Sequence, residues 1–459
     1  MKYCYWYTRL LLSLLLLWGY PSVAQQKPPI VVFLADDLGF YEVPVYGKTP
    51  VLMPNLERLA RQGLAFDQAF CASPSCAPSR AALLTGRMPA RNGAEPNHSY
   101  PRADVPVLTR SLQANGYDVV AFGKVAHDDM NSTAGFDYYS PDRLHLADSM
   151  RTYFQRRKSS KPVCVLLGDK RPHVLWSPQS TYDPAAVTLP PDWIDTPETR
   201  AHRARYYTDI TGMDAELGQV LNLTNKLFSD KAIILFSSDH GAQWPFGKWN
   251  LYDAGIRTPL VVAWPGKVAA GQHTAALVSW VDILPTLLAI TATHLPPGLD
   301  GKSFAPVLLG RTQQHRQVIY TTHSGDGPEN VYPIRSVRTA RYKYIRNLHP
   351  EYLHTNHSDL YRKDGAGAYW NSWMEKAKTD SAAARLVRKY HVRPAEELYD
   401  LDQDPREQVN QAANPRYATQ LRKMRALEDA WMREQGDAQT VFNTPYLKKN
   451  PLPKVPIAP

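Results

Sequence analysis

PPIVVFLADD, Pro28 to Asp37, is an apolar run rich in β-branched residues that ends in two adjacent acids. It shows no alternation of polar and apolar positions. A strand of that kind is buried on both faces, as in a parallel sheet covered by helices on either side. Working outward, the same pattern returns. KPVCVLLGD (Lys161 to Asp169), the end of VLTRSLQANGYDVVAFGK (Val107 to Lys124), KAIILFSSDHG (Lys231 to Gly241) and TPLVVAWPG (Thr258 to Gly266) all read as buried strands. Between them, MPNLERLARQG (Met53 to Gly63) and ETRAHRARYYTDITGMDAELGQVLN (Glu198 to Asn222) read as helices. VSWVDILPTLLAI (Val278 to Ile290) reads as a helix interrupted at Pro285.

Strands alternating with helices predict an α/β fold: a large, mixed, mainly parallel sheet sandwiched by helices. Ligand sites in such sheets form at the carboxyl ends of the strands. Asp36-Asp37 and Asp239-His240 both fall at such ends. They lie about two hundred residues apart, yet the fold would set them on one edge. After residue 312 the pattern changes. RQVIYTTHS and IRSVRTARYKYIRNL alternate like antiparallel strands, with Thr339-Ala340 at a hairpin turn. A helix follows over about Pro415 to Gln435. This predicts a smaller C-terminal α+β subdomain with an antiparallel sheet. The expected division is a signal peptide at 1–24, a catalytic domain at 25–312, the α+β subdomain at 313–445 and an irregular Pro-rich tail at 446–459.

The leader reading rests on Lys2 and Arg9 before the apolar run Leu10 to Trp18, followed by Ser22-Val23-Ala24 as a cleavage site. The run is too short for the ~20 residues of a membrane span. The expectation is an exported protein, periplasmic or secreted, with no stable membrane insertion. Cleavage would leave Cys71, Cys76 and Cys164. An odd number argues against a disulfide framework. The formal net charge of +10 suits an anionic partner. With no dense basic tract or recognisable motif, nucleic acid is not the expected one. Asn-x-Ser/Thr triplets at Asn97, Asn131, Asn222 and Asn356 are read as chance.

Asp36, Asp37 and Asp239 offer hard oxygen ligands that favour calcium or magnesium. The plainer reading is acids that cap turns. Cys76 precedes Pro78, a good first-turn residue, so it stands at a helix N-terminus where free N–H groups and the dipole favour an anion. Taken alone, it reads equally as a buried thiol at a helix start.

Cys76-Ala77-Pro78-Ser79-Arg80-Ala81-Ala82-Leu83-Leu84-Thr85-Gly86 resembles the signature of the formylglycine-dependent sulfatases, members of the alkaline-phosphatase-like superfamily. LADDLG, MPNLERLA, FGKVAH, KRPHVLW, FSSDHG, GKWNLYDAGIRTPL and ELYDLDQDPREQVN extend the resemblance over nearly the whole mature chain. It implies that Cys76 is converted to formylglycine by a formylglycine-generating or anaerobic sulfatase-maturing enzyme. One hydroxyl of the hydrated aldehyde then attacks the sulfur, and the other expels sulfate. It also implies one Ca2+ per chain, bound by Asp36, Asp37, Asp239, His240 and the modified Cys76. Many family members carry Asn where this chain has His240. Arg80 matches the residue that steadies formylglycine, Lys124 a sulfate-binding lysine, and His127 the general base. His173 and Lys248 match groups that bind sulfate and protonate the leaving oxygen. Cys71 and Cys164 are left as buried thiols.

The implied activity is hydrolysis of sulfate esters, or N-sulfate, of a sulfated carbohydrate: glycosaminoglycan or algal polysaccharide fragments. The branch is divided. Lys124-x-x-His127, Asp239-His240 and the basic residue before Pro172-His173 resemble iduronate-2-sulfatase. WPFGKWNLYDAG and YDPAAVTLPPDWIDTPETRAHRARYYTDITGMD resemble heparan N-sulfatase (sulfamidase). Arg171 is a candidate clamp for a uronate carboxylate, or only shapes its loop. Trp176, Trp244 and Trp249 either stack on sugar rings or pack in the core. Two alternatives stand beside the main reading: a phosphodiester or phosphonate ester hydrolase of the same superfold, and an inactive sulfated-glycan-binding protein if Cys76 is never converted.

Overall fold

The computed structural model describes residues 27–364 and 367–449. The leader at 1–24 and residues 450–459 of the tail therefore lie outside the described residues.

The PPIVVFLADD run forms strand β1 (Ile30–Ala35), and all six of its residues are buried. In chain order the other strands are β2 (Leu64–Phe66), β3 (Ala69–Phe70), β4 (Asp118–Gly123), β5 (Tyr138–Ser140), β6 (Val163–Gly168), β7 (Ile233–Ser238), β8 (Leu260–Ala263), β9 (Gln272–Thr274), β10 (Val278–Ser279), β11 (Ile319–His323), β12 (Ile334–Arg338), β13 (Tyr342–Asn347) and β14 (Glu396–Asp400). The large sheet has eight strands in the order β5-β4-β6-β1-β7-β8-β2-β9. The inner strands β4, β6, β1 and β7 run parallel, and β8 pairs antiparallel with both β7 and β2. The sheet is thus mixed and mainly parallel. Its two central strands, β1 and β7, are in register from Ile30↔Ile233 to Ala35↔Ser238. Asp36 and Asp239 follow directly, so the register alone sets the two acidic ends side by side.

The long helix Pro197–Phe228 starts at Thr196, whose hydroxyl accepts from the Thr199 N–H, with Pro197 in the first turn. The helix Cys76–Thr85 is different: every residue in it is buried. It is a core helix, and it ends at Gly86 in the left-handed conformation, φ 64°. One helix departs from expectation. Pro285 does not interrupt the 278–290 segment. Val278–Ser279 is a short strand, a single 3-10 turn follows, and the α-helix runs Ile283–Ile290 with Pro285 in its first turn. There the backbone N–H has no intrahelical partner to lose, so proline is tolerated.

The second sheet is four-stranded and antiparallel, ordered β11-β12-β13-β14. The hairpin turn falls at Thr339, where the Arg338↔Lys343 pair closes and the Thr339 N–H donates to the Tyr342 carbonyl at 2.8 Å. The helix Ala418–Gln435 packs on β12 and β13. Three longer helices, Leu146–Arg156, Trp370–Ala377 and Ser381–His391, were not expected from the sequence. Among the described residues no helix is long and apolar enough to cross a membrane.

Candidate active site

The carboxyl ends of β1 and β7 carry Asp36, Asp37, Asp239 and His240, all fully buried. The turn after β1 is held tightly. The Asp37 N–H donates to Asp239 Oδ1 (3.1 Å) and the Leu38 N–H to Ser238 Oγ (3.0 Å). Tyr206, from the long helix, donates its hydroxyl to the Asp37 carbonyl (2.9 Å) and accepts from the Gly39 N–H (3.0 Å). Asp37 itself has φ 65°, a left-handed conformation that costs a non-glycine residue about 1–3 kcal/mol and clusters at functional sites.

The Cys76–Thr85 helix points its N-terminus at this edge. Ser75 makes no side-chain cap, and Asn97 does the work instead, its Oδ1 accepting from the Ala77 N–H at 3.0 Å. Cys76 Sγ then lies 3.3 Å from His240 Nε2, 3.5 Å from Lys248 Nζ, 3.6 Å from Lys124 Nζ and 3.7 Å from Asp36 Oδ1. Arg80, one turn on and fully buried, joins the two strand ends: Nε to Asp239 Oδ2 at 3.1 Å and an Nη to Asp36 Oδ1 at 3.2 Å. Another of its nitrogens donates to the Lys124 carbonyl. Lys124 follows β4, where two strand ends approach so closely that a Cβ on Gly123 would sit 2.3 Å from the Gly168 carbonyl oxygen. Only glycine fits that crossing, and it delivers Lys124 Nζ to Asp36 Oδ2 at 2.6 Å. Lys248 Nζ lies 3.0 Å from both oxygens of Asp37.

The electrostatics follow. Burial alone would raise the Asp36 carboxyl, but Lys124, His173, Arg80 and Lys248 outweigh it and hold it well below the usual range. Burial raises Asp37 to about 7 against Lys248 and His240. Burial also acts to raise the Cys76 thiol, and Lys124 and Lys248 reverse that and lower it. The other two thiols lack such neighbours. Burial pushes Cys71 well above its ordinary value and Cys164 to about 12. Of the three, only Cys76 is placed to react.

The donor set fits a divalent cation. Ligand atoms of Asp37, Cys76, Asp239 and His240 lie within 4.8 Å of one another. His240 Nδ1 donates to the Gly241 carbonyl (2.9 Å), which orients the ring so that Nε2 faces Asp37 (3.5 Å) and Asp239 (3.6 Å). Burial would push that imidazole down, yet Asp239 and Cys76 raise it to about 9. The acids draw positive charge to this point.

Of the other residues singled out in the sequence, His173 lies at the rim, Nε2 3.9 Å from Asp37 Oδ2. His127 is buried, with Nδ1 2.8 Å from Asp128 Oδ2. Arg171 is not brought to the cluster. Its guanidinium binds both oxygens of Asp169 (2.9 and 2.6 Å), and another contact goes to the Leu144 carbonyl. That geometry favours the loop-shaping reading, although the Arg171 carbonyl does accept from the Asp36 N–H at 3.2 Å. Trp176, Trp244 and Trp249 are buried. Trp176 stacks on Trp244 at 4.8 Å, and Trp249 donates to Asp326 Oδ2 at 2.6 Å. They are core residues here, with no face open to a sugar. Sequence reasoning missed Asn97, Tyr206, Ser238 and Asp326, and took Asn97 only as part of a chance triplet. Nothing local marks them: each acts on a partner far away in the chain.

Comparison with known proteins identifies the family. Residues 28–293 match the family model described as Sulfatase, and residues 240–389 match N-sulphoglucosamine sulphohydrolase, C-terminal. An ulvan-active sulfatase of Formosa agariphila is 31% identical over 430 residues, covering 91% of this chain and 82% of that protein. The human N-sulphoglucosamine sulphohydrolase is 28% identical over 477 residues, covering 89% and 90%. A solved structure in complex with its substrate D-glucosamine-2-N,6-O-disulfate superposes with TM-score 0.70 at 19% identity, covering 91% of this chain and 100% of that one. At that identity the likeness speaks to the fold.

Proposed function

This chain belongs to the sulfatase family and is a sulfuric ester hydrolase, and from that premise we propose that it removes sulfate from a sulfated carbohydrate, a fragment of an algal or glycosaminoglycan polysaccharide, after export. The observation that carries the reading is Cys76: a thiol lowered by two lysines, at the start of a buried helix, in contact with Asp36 and His240. The relatives named for ulvan and for N-sulphoglucosamine support the substrate class.

In this reading a maturation enzyme converts Cys76 to formylglycine, whose hydrate supplies two geminal hydroxyls, one to attack sulfur and one to release sulfate. Asp36, Asp37, Asp239 and His240 would hold a calcium ion, which supplies Lewis-acid polarisation of sulfate oxygen. The chain's own groups do the rest. Arg80 fixes Asp36 and Asp239 and so sets the spacing of the two strand ends. Lys124 and Lys248, with Nζ 3.6 and 3.5 Å from Sγ, place fixed positive charge where the sulfate oxygens would gather, the kind of preorganised stabilisation that is usually the largest catalytic contribution. His127 is pushed down to about 3, by burial first and then by Lys124. It is therefore neutral at physiological pH, the state from which a general base must start. His173, at the rim, is placed to give a proton to the departing oxygen or nitrogen.

The test is mass spectrometry of the tryptic peptide Gln62 to Arg80 from matured protein. Fragment ions should show Cys76 with sulfur replaced by an aldehyde oxygen and Cys71 unchanged. Desulfation assays on defined heparin, chondroitin and ulvan oligosaccharides then read the substrate. An unmodified Cys76 in protein that still releases sulfate would overturn the mechanism.

A further inference from the structure

A second cluster of titratable groups lies beside the first: His98, His127 and Asp128. One donor atom from each lies within 4.8 Å of the others. Asp128 Oδ2 is 3.2 Å from His98 Nδ1 and 2.8 Å from His127 Nδ1. The two imidazoles meet edge to face, with centroids 4.8 Å apart and planes at 81°. Nothing in the catalytic reading uses His98 or Asp128.

Four observations make this a built site. His127 is 5% exposed, and its Nδ1 is buried with no hydrogen-bond partner, although the carboxylate is near. A buried polar group left in that state is costly, and a bound cation would remove the cost. Second, His98 turns its other nitrogen, Nε2, to Asp326 Oδ1 at 3.5 Å. Asp326 is itself fixed by Asn97 Nδ2 (3.0 Å) and Trp249 Nε1 (2.6 Å), both on Oδ2. A fixed carboxylate behind a histidine is the arrangement that orients metal-binding imidazoles and raises their basicity. Third, His98 (φ 60°) and Asp128 (φ 44°) both hold left-handed backbone, so two strained residues are aimed at one point. Fourth, the His98 and Asp128 side chains are 57% and 46% exposed, which provides an entry path and room for water as a further ligand.

The donor type sets the metal. Two imidazoles and one carboxylate suit zinc or a neighbouring first-row ion, whereas the aspartate-dominated cluster at the sheet edge, with a single imidazole, favours calcium. The two clusters therefore differ in the ion they would take. We propose that His98, His127 and Asp128 form an inhibitory zinc site, separate from the cation site around Asp37 and Asp239. Zinc on Nδ1 of His127 puts a positive charge on the ring and removes it as a base. The inhibition rests on the role given to His127 above. The binding does not.

The experiment uses untagged, matured enzyme saturated with calcium. Zn2+ is titrated by calorimetry in excess Ca2+, with turnover followed in parallel on an oligosaccharide from the desulfation panel. One zinc should bind per chain. Turnover should fall at least about tenfold at saturation and recover with a zinc-selective chelator, as removal of one proton-transfer group predicts. His98→Ala, and His98→Gln as a second variant, should keep turnover in zinc-free buffer, weaken zinc about 100-fold and abolish inhibition; Asp326→Asn should weaken zinc about tenfold. Absence of zinc binding in the presence of calcium, or unchanged affinity in both His98 variants, overturns the site. Zinc that binds through His98 without slowing turnover overturns the inclusion of His127. Calorimetry decides the binding even if the sulfatase reading fails.

Discussion

Two buried charge networks in this molecule use the same side chains to opposite ends. At the sheet edge, Asp36, Asp37 and Asp239 face Arg80, Lys124 and Lys248 around a thiol. Where the short helix Asp253–Ile256 meets the second sheet, Asp253 sits between Arg338 (3.2 and 3.1 Å) and Lys343 (2.8 Å), and Lys343 continues to Glu407 at 2.7 Å. Asp37 and Asp253 are both buried aspartates touched by lysine. Burial raises Asp37 to about 7, and Lys248 does not overcome it because Asp36 and Cys76 crowd the same space. Burial acts on Asp253 in the same direction, but Arg338 and Lys343 outweigh it and hold the carboxyl far below its ordinary range. At Asp253 two touching cations make a fastening. At Asp37 one lysine against two crowding acidic neighbours leaves a carboxyl that needs a cation and is poised to react.

The largest effect that separates the two networks is at Cys76. Cys76→Ala removes the nucleophile and should lower turnover at least ~1000-fold, as loss of a nucleophile does elsewhere. The variant should still fold. Retained sulfate release from matured C76A would erase the distinction between the networks. Lys343→Met should do the reverse. It leaves Asp253 with one cation and Glu407 with none, and breaking such a buried group costs about 3–5 kcal/mol. Urea unfolding should show that loss, while kcat per folded molecule stays near wild type. Lys248→Met lies between. Removal of one preorganised charge should lower kcat about 100- to 1000-fold. Calcium should distinguish the networks again: at 100 times its Kd it should stabilise the protein by about 2.7 kcal/mol. Asp239→Asn should abolish that increment in thermal unfolding, and Lys343→Met should retain it.

How much of this was legible depended on the distance over which each residue acts. β1 and β7 were readable because a doubly buried strand has no polar face, and the acids at their ends follow from register alone. Pro78 placed Cys76 at a helix start, but only the resemblance of the whole Cys76–Gly86 stretch to the sulfatase signature gave Cys76 and Arg80 their roles. Pro285 was misread because its effect depends on where the turn begins, which Ser279 and Asp282 decide by capping the segment from both sides. Asn97, Tyr206 and Asp326 were invisible: each is an ordinary polar residue whose partner lies 20, 169 and 77 residues away. Arg171 shows the converse. Its place before Pro172-His173 suggested substrate, but Asp169, two residues back, is close enough to claim it.

The smallest expected effect concerns acid, and it tests whether the second sheet's module is a fastening independent of the site. His391 ends the helix Ser381–His391 and is buried among Tyr390, Trp370 and His354. Its Nδ1 donates to the His354 carbonyl at 2.9 Å. Burial pushes it down to about 4, and the positive charges of Arg393 and Arg362 push the same way against that hydrogen bond. The unfolded imidazole titrates near 6.5, so the folded state binds fewer protons between 6.5 and 4. A depressed pKa gives stability that is full above 6.5 and lost as pH falls toward 4. From pH 7 to 5.5 the loss from this residue alone should be about 1 kcal/mol. His391→Gln should flatten that part of the stability curve without moving the pH dependence of kcat. If the variant's urea midpoint falls with pH as steeply as the parent's, His391 is not the titrating group, and His354 or His323, buried in or beside the second sheet and pushed down in the same way, carries the acid sensitivity.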